Sequence, residues 1–592
     1  RLAASGDVLR TLDPETLRKP LTQWLQAGVN SLAICLLHSH VNDVHERMIA
    51  EVAREVGFTN ISVSSQVAPM IKLVSRAETT VLDAYLTPIL ADYVLRLDAQ
   101  FNRFESRSSL REDSVSSLFR GAKSGNKSRL RLMTSAGNLV DAAAFRGGDS
   151  ILSGPAGGVV ALGKIADAFA PQGAIGLDMG GTSTDVCRYS GRIPRDYESR
   201  KAGVRVLAPM IAIHTVAAGG GSICDVEDGR MIVGPKSAGA MPGPACYGRG
   251  GPLTVTDLTV ILGRLPLDRF PFPLDVDAAR KRLGEVNAKL GVNRFVPDEL
   301  AAEGFLTIAV THMAEAVRTT STAQGSDPRD FTLVGFGGAA GGHLCAIADA
   351  IGMTRIIDHR DASLLSALGM GLADVGRIRT RGIYRMLDEI DAAQWQAWSD
   401  AVRVDAIESL TGEIESTIAM DEIAICRLEA DVRYQGTEAT LILAAHPFAT
   451  LADRFHQSHR AEFGYDQPKR RIEIATIRCE ATLPSLAMLD PQEVAFHSAE
   501  AACSRNLRGA KGDFDREQVE VGSSIAGPAI VVDDNSTLVI DPGWIATKHV
   551  TGTFELHRAM GASDGARRSC DQVDAVTVEV VARRMQGIAD SM

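Results

Sequence analysis

AIGLDMGGTSTDVCRY, residues 174–189, is the stretch on which the fold turns. An apolar run reaches Asp178, two glycines bend the chain at Gly180 and Gly181, and Thr182, Ser183 and Thr184 lead it away past Asp185. Two readings fit these residues. One is an ordinary tight hairpin. The other is a loop that holds the phosphates of a nucleotide. Glycines remove the Cβ atoms that would keep backbone N–H groups from phosphate oxygens. Asp178 and Asp185 can hold Mg2+, directly or through water, and the three hydroxyls are further donors. No Gly-Lys-Ser/Thr follows, so this is not a Walker loop, and the spacing is not GxGxxG.

Four more glycine motifs lie within reach. TLVGFGGAAGGHLCAIADAIG (332–352) reads as strand, turn and helix, and a helix start offers free N–H groups to an anion. Close helix–strand packing would also require small residues there. ILSGPAGGVVALGKIADAF (151–169) reads the same way, as a strand, a glycine turn and a helix. HTVAAGGGSICDVEDGRMIVGP (214–235) places three consecutive glycines, Gly219, Gly220 and Gly221, where they should line a cavity. In SAGAMPGPACYGRGGPLTVTDLTVILGRL (237–265), Cys246 is either a nucleophile or a structural thiol, and no base or triad pattern accompanies it. Each loop alone is weak evidence. Five together point to a nucleotide site between two α/β lobes.

The rest of the chain sets bounds. At 592 residues it should hold about three or four domains. A net charge of −11 and only 5% aromatic residues argue against a nucleic-acid partner. Nine cysteines stand singly, without a CxxC pair, which is the usage of a reducing, cytoplasmic compartment. No run of 18 apolar residues occurs, so no membrane partner is expected. Asp13-Pro14 starts a helix that stops near Gly28; SLAICLL (31–37) and NISVSS (60–65) read as strands around a helix ending at Gly57. Such alternation implies a mostly parallel sheet. The Ser/Arg/Lys-rich stretch 105–130 reads as a surface insertion, with a phosphate or nucleic-acid contact as the other possibility. Beyond 373 the texture becomes β-rich and antiparallel, after a helical stretch at 391–416. The expected organisation is therefore an N-terminal lobe over 1–150, a glycine-rich core over 151–372, a β-rich domain over 373–560, and the first element of a further domain at 571–592. Both ends read as interior to a longer chain.

The motifs GLDMGGTSTDV, SGPAGGVV, AAGGGSICD, VGPKSAGAMPGPACYGRGGPLTVTD, DPRDFTLVGFGGAAGGHLCAIADAIGM and GPAIVVDDNSTLVIDPGW together resemble the A-half of the hydantoinase/oxoprolinase family, over essentially the whole chain. ICLLHSHVNDVHE (34–46), FRGGDSILSGPAGGVV (145–160), VRYQGTEATL (432–441) and FGGAAGGHLCAIA are most similar to the ATP-dependent 5-oxoprolinase branch of that family. The resemblance implies an actin-like, ribonuclease H-like ATPase core of two α/β lobes that takes ATP and Mg2+ between them, plus the C-terminal β-rich domain. It implies that Asp178, Gly180, Gly181, Thr182, Thr184 and Asp185 form one phosphate loop, with Asp178 and Asp185 as catalytic and Mg2+-holding groups. Gly337, Gly338, Gly341 and Gly342 would form the adenosine-side loop. The implied reaction is ATP-dependent hydrolysis of the cyclic amide 5-oxo-L-proline to L-glutamate through phosphorylation of the lactam oxygen, within glutathione metabolism. Related chemistries are an ATP-dependent hydantoinase and a ketone carboxylase subunit. From outside the enzymes, a non-catalytic nucleotide-binding module is the competing reading. DAVTVEVVARRMQGIADSM resembles the opening of the B-half, so a B-half of the same parent is the expected partner, in a homo-oligomer. A second DxGGT loop, which family members carry near their N-terminus, has no copy here, and this piece alone is expected to be inactive. His214 stands where relatives often have Asp or Asn. Arg433 is a candidate for an anionic group, against a surface or packing role.

Overall fold

The computed structural model describes residues 1–108, 130–201, 203–290, 296–322, 326–411, 425–485, 506–507 and 513–559. They fall into two compact units, each assembled from three stretches. The first gathers Arg1–Ala156, Arg195–Ile211 and Ala373–Leu486; the second gathers Gly157–Pro194, Ala212–Leu372 and the described part of Ala487–Met592.

The second unit is an α/β body on a nine-stranded mixed sheet. Its order is His214–Val216, Thr184–Tyr189, Ala174–Met179, Thr332–Phe336, Arg355–Asp358, Phe554–Arg558, Trp544–Lys548, Ser524–Ala526 and Asn506–Leu507. Ala174–Met179, Thr332–Phe336 and Arg355–Asp358 run parallel at its centre. Their near-continuous apolar character follows from burial on both faces. Two strand glycines make room for that burial: a Cβ on Gly176 would lie 2.6 Å from Leu162, and one on Gly335 2.4 Å from Leu344. The helix Asp298–Thr322 is long and apolar, and Asp298–Ser321 passes the length and hydropathy test for a membrane span. It is instead a core helix: 72% of that apolar window is buried, with Phe305, Met313 and Val317 fully enclosed.

The first unit carries a six-stranded sheet in the order Leu441–Ala444, Ile425–Tyr434, Ile472–Leu483, Val375–Met386, Leu139–Asp141 and Arg131–Met133. All neighbours are antiparallel except Val375–Met386 beside Leu139–Asp141. The helix Ala392–Thr411 packs on it through Trp395, Val402 and Ala406. The N-terminal stretch forms a parallel pair, Ser31–Ile34 with Asn60–Val63, beside the helices Glu15–Gln26, Val44–Val56 and Leu73–Ser108. Gly57 caps Val44–Val56 in the left-handed conformation, as its sequence position predicts.

Two expectations need correction. The segments 151–372 and 373–560 are not the units of packing. Strands from 375–483 join Arg131–Asp141 in one sheet, whereas strands from 524–558 extend the sheet of the glycine-rich core, because Arg355–Asp358 takes Phe554–Arg558 on its open edge. The boundary at 150 falls near the end of the first stretch of the first unit. Second, residues 151–169 hold no strand. The helix Ser153–Phe169 begins almost at once, and its glycines serve helix crossing. A Cβ on Gly157 would lie 2.3 Å from the Ser366 carbonyl oxygen, and one on Gly369 1.7 Å from that of Gly157. The expected insertion 105–130, apart from its first and last few residues, and the element at 571–592 lie outside the described residues.

Candidate active site

The quoted stretch is a hairpin, and the hairpin carries an open turn. Ala174–Met179 pairs antiparallel with Thr184–Tyr189 in a register that sets Asp178 opposite Asp185. The Gly180 N–H donates to the Ser183 carbonyl at 3.1 Å and closes the turn. Gly180, Gly181 and Thr182 are exposed. Among the described residues no protein group accepts from the N–H of Gly181, Thr182 or Ser183. Nothing lies within 4 Å of a Cβ built on Gly181. Three successive free amides on an open, nearly side-chain-free turn form an anion cradle.

The triplet Gly219–Gly221 backs this turn. Gly220 donates to the Gly180 carbonyl at 3.1 Å and Gly221 to the Gly181 carbonyl at 2.6 Å. Gly219 donates to Ser222 Oγ at 2.8 Å. A Cβ on Gly219 would lie 2.8 Å from Gly180 O, Ser183 N and the Thr182 carbonyl carbon. These glycines are buried with their amides spent, so they do not face a ligand as expected. They permit backbone to press on backbone and so shape the cradle.

The third motif closes in from Thr332–Phe336. Gly337 adopts φ +84°, donates to the Ala362 carbonyl at 2.9 Å, and would place a Cβ 2.4 Å from Asp178 Oδ1. The Ala339 N–H donates to the Met179 carbonyl at 3.2 Å. Gly338 is exposed with open space at its Cα. Gly341 departs from expectation: it packs against Thr537, where a Cβ would lie 2.4 Å from the carbonyl oxygen. A Cβ on Gly342 would meet open space, and its carbonyl accepts from Arg264 at 3.1 Å.

The side chains sort in the same manner. Thr182 is exposed on the turn, but Thr184 is buried and its hydroxyl donates to the Ala218 carbonyl, which removes it from the phosphate contacts expected of it. Asp185 accepts from Thr215 Oγ1 at 2.6 Å. Burial, and next the charge of Asp185, push the Asp178 carboxyl up to about 6. Two facing carboxylates beside free amides are a hard-oxygen donor set that fits Mg2+, whose charge would remove their repulsion. Thr215 and Thr256, which donates to the Gly220 carbonyl at 2.9 Å, carry no motif of their own and were not legible as site residues.

The remaining candidates fall elsewhere. Cys246 is buried; its N–H donates to Asp257 Oδ1 at 2.7 Å, and burial raises its thiol far above the reactive range, so it is a structural thiol. Arg433, in the first unit, spends its guanidinium on Glu473 at 2.7 Å. His214 is exposed on the edge strand, opposite Val186.

An α/β body whose glycine turns converge on a carboxylate pair defines the class. The family follows from comparison: the Hydantoinase/oxoprolinase profile matches residues 76–379, and the Hydantoinase/oxoprolinase N-terminal region matches residues 1–57. The chain belongs to the hydantoinase/oxoprolinase family. It is 33% identical to a 5-oxoprolinase of Saccharomyces cerevisiae over 99% of this chain and 46% of that one. It is 29% identical to the caprolactamase subunit alpha of Pseudomonas jessenii, over 94% and 80% respectively. The crystal structure of the ATP-dependent caprolactamase from that organism superposes with a TM-score of 0.77 at 27% identity, over 94% of this chain and 81% of that one. An acetone carboxylase in its nucleotide-free form shares the fold, with a TM-score of 0.67 at 20% identity over 94% of this chain and 80% of the other. The chain spans about half the length of the 5-oxoprolinases it matches.

Proposed function

We propose that this chain is the ATP-using half of a cyclic-amide hydrolase, that its substrate is 5-oxo-L-proline, and that it works with a B-half partner. The carrying observation is the open turn Gly180–Ser183, with three unclaimed amides beside Asp178 and Asp185. The relatives named as 5-oxoprolinases and as an ATP-dependent caprolactamase support the reaction class.

A lactam resists water because amide resonance protects its carbonyl. Transfer of the γ-phosphoryl group of ATP to the lactam oxygen removes that protection. Water adds at the carbon, and the C–N bond breaks and opens the ring to the γ-acyl phosphate of glutamate, with the ring nitrogen protonated as the free amine. A second water hydrolyses that acyl phosphate to L-glutamate and phosphate. The chain's share is positioning and charge. The Gly181, Thr182 and Ser183 amides hold phosphate oxygens, with the Thr182 hydroxyl beside them. Gly337 and Gly338 let the nucleotide approach the backbone. Asp178 and Asp185 would hold Mg2+, which supplies charge neutralisation on the phosphates when bound.

The test is ADP release by the chain co-produced with its B-half, with ATP and Mg2+, against 5-oxo-L-proline, hydantoin and caprolactam. Release stimulated by 5-oxo-L-proline with matching glutamate supports the proposal. Stimulation only by another compound moves the substrate and keeps the class. No stimulated release by any of them removes the hydrolase reading.

A further inference from the structure

Away from the glycine turns, the first unit concentrates unspent polar groups around the turn that follows Ser31–Ile34. Among the buried side-chain atoms without a hydrogen-bond partner are His40 Nδ1, Ser65 Oγ and Arg76 Nε. They belong to one neighbourhood. Arg76 Nη2 donates to the Leu36 carbonyl at 2.5 Å, and Ser39 Oγ lies 3.3 Å from Ser64 Oγ. Buried polar atoms are nearly always paired, so three orphans in one place call for an occupant.

The charge balance there is also incomplete. Arg76 is fully buried, and its two terminal nitrogens donate only to backbone carbonyls, those of Met70 and Leu36. No carboxylate pairs with it among the described residues. The nearby buried Glu46 is already spent: it accepts from the Leu36 N–H at 2.8 Å, the Ser64 hydroxyl at 2.7 Å and the Ser65 N–H at 2.9 Å. A buried guanidinium without a counter-ion is costly. Burial and the Arg76 charge together hold the His40 imidazole down at about 4, so it is neutral and keeps one N–H to donate.

The backbone is strained at the same place. His38 (φ +66°) and Tyr384 (φ +50°) are two of the three non-glycine residues with left-handed backbone among those described. Their side chains bracket His40, whose ring centroid lies 6.3 Å from that of His38 and 6.0 Å from that of Tyr384, edge-on. The Tyr384 hydroxyl accepts from the Ile71 N–H at 3.2 Å, and among the described residues its own proton has no acceptor. Strain of this kind concentrates where side chains must be aimed at a ligand.

We infer that His38, His40, Ser65, Arg76 and Tyr384 form a carboxylate-binding site, and that it takes the carboxylate of the lactam substrate. This rests on the substrate reading above. Arg76 Nε can only donate, and the Ser65 hydroxyl, the Tyr384 hydroxyl and the Nδ1–H tautomer of His40 can donate as well, so an anion completes the set. Of the lactams considered, 5-oxoproline alone carries a carboxylate. The site therefore separates it from caprolactam, hydantoin or 2-pyrrolidinone, and is the specificity element for the proposed reaction.

The test compares 5-oxo-L-proline with 2-pyrrolidinone, the same ring without the carboxylate, on the chain with its B-half. Wild type, His40→Gln and Tyr384→Phe are measured both for ATP-coupled turnover and for binding by calorimetry without ATP. A hydrogen bond to a charged group is worth roughly 1.5–3 kcal/mol, so each variant should lower the preference for 5-oxoproline over 2-pyrrolidinone by about 10- to 100-fold. The change should appear in KM with kcat largely kept. Equal losses on both lactams, or an unchanged preference, overturn the site. If wild type forms no glutamate, the substrate reading fails by itself and calorimetry decides the site. Carboxylate-dependent binding lost in both variants upholds it, and binding indifferent to the carboxylate or to the variants overturns it.

Discussion

Asp178 and Asp185 face each other across a registered antiparallel pair, and the Asp178 carboxyl is held up to about 6 by burial and by its partner's charge. The pair is unfavourable as it stands and becomes favourable when a divalent cation shares it. Asp178→Asn and Asp185→Asn should each lower ATP turnover by about 10²- to 10³-fold, the scale of losing one group that stabilises transition-state charge. Steady-state ADP release at saturating Mg2+ checks this. Wild-type turnover in Asp178→Asn would refute the phosphate-loop reading of the turn.

The same pair makes a pH-dependent statement about stability. The folded-state pKa of Asp178, about 6, exceeds the unfolded value of about 3.9. Its contribution is therefore fully present below about pH 4 and is lost as pH rises through about 6. Asp178→Asn should raise the melting temperature of the metal-free protein more at pH 8 than at pH 4.5. Thermal melts of both proteins in EDTA across that range read the difference. An equal shift at both ends would mean that Asp178 does not titrate in this window.

The glycines divide into those that cannot change and one that can. Gly219→Ala forces a methyl to 2.8 Å from three backbone atoms of the cradle, and Gly337→Ala adds a left-handed strain to a clash with Asp178. Each should cost about 1–3 kcal/mol and weaken ATP binding. Gly338→Ala meets open space without a left-handed φ and should keep the wild-type melting temperature. Differential scanning fluorimetry with and without Mg-ATP compares the three. A silent Gly219→Ala would show that the triplet does not back the turn.

Cys246 and Asp257 test the structural reading of the fifth glycine motif. Asp257 accepts from the N–H groups of Ala245, Cys246 and Thr254 and from the Thr254 hydroxyl, all buried. Asp257→Ala strands these donors and should destabilise by about 3–5 kcal/mol. Cys246→Ala should keep turnover within about twofold, because the thiol touches no reacting atom. A complete loss of activity in a folded Cys246→Ala protein would restore the nucleophile reading.

Much of the site was legible because its signals are local. A glycine pair after an apolar strand with Asp at its end can be read directly, and both the hairpin and the open turn of 174–189 follow from it. Asp178 ends the first strand of that hairpin, and Gly180, Gly181 and Thr182 lie exposed on its turn. The errors arose where one residue type serves two purposes. Gly157, Gly219 and Gly341 look like ligand-facing glycines, yet each is required by backbone or helix crowding from a distant segment. Thr184 looks like a phosphate donor until the Ala218 carbonyl claims it. The domain boundaries failed for a similar reason. Alternation along a strand reports that it pairs, and not which sheet edge it completes, so nothing in 524–558 announces Arg355–Asp358 as its neighbour.

The interleaving of the two units bears on how the protein is made. The chain passes from one unit to the other five times, at 156, 194, 211, 372 and 486. No uninterrupted segment is therefore a unit by itself: a cut at 194, 211 or 372 divides both units, and a cut at 156 or 486 divides one of them. On the ribosome, the strand Arg355–Asp358 emerges roughly 200 residues before Phe554–Arg558, the strand that covers its edge. During that interval a central strand, paired with Thr332–Phe336 on one side, keeps its other edge open as an apolar template, the condition that invites aggregation. Folding of the glycine-rich body thus waits for residues 554–558 to be made, and its yield should respond to chaperones that shield a nascent sheet edge.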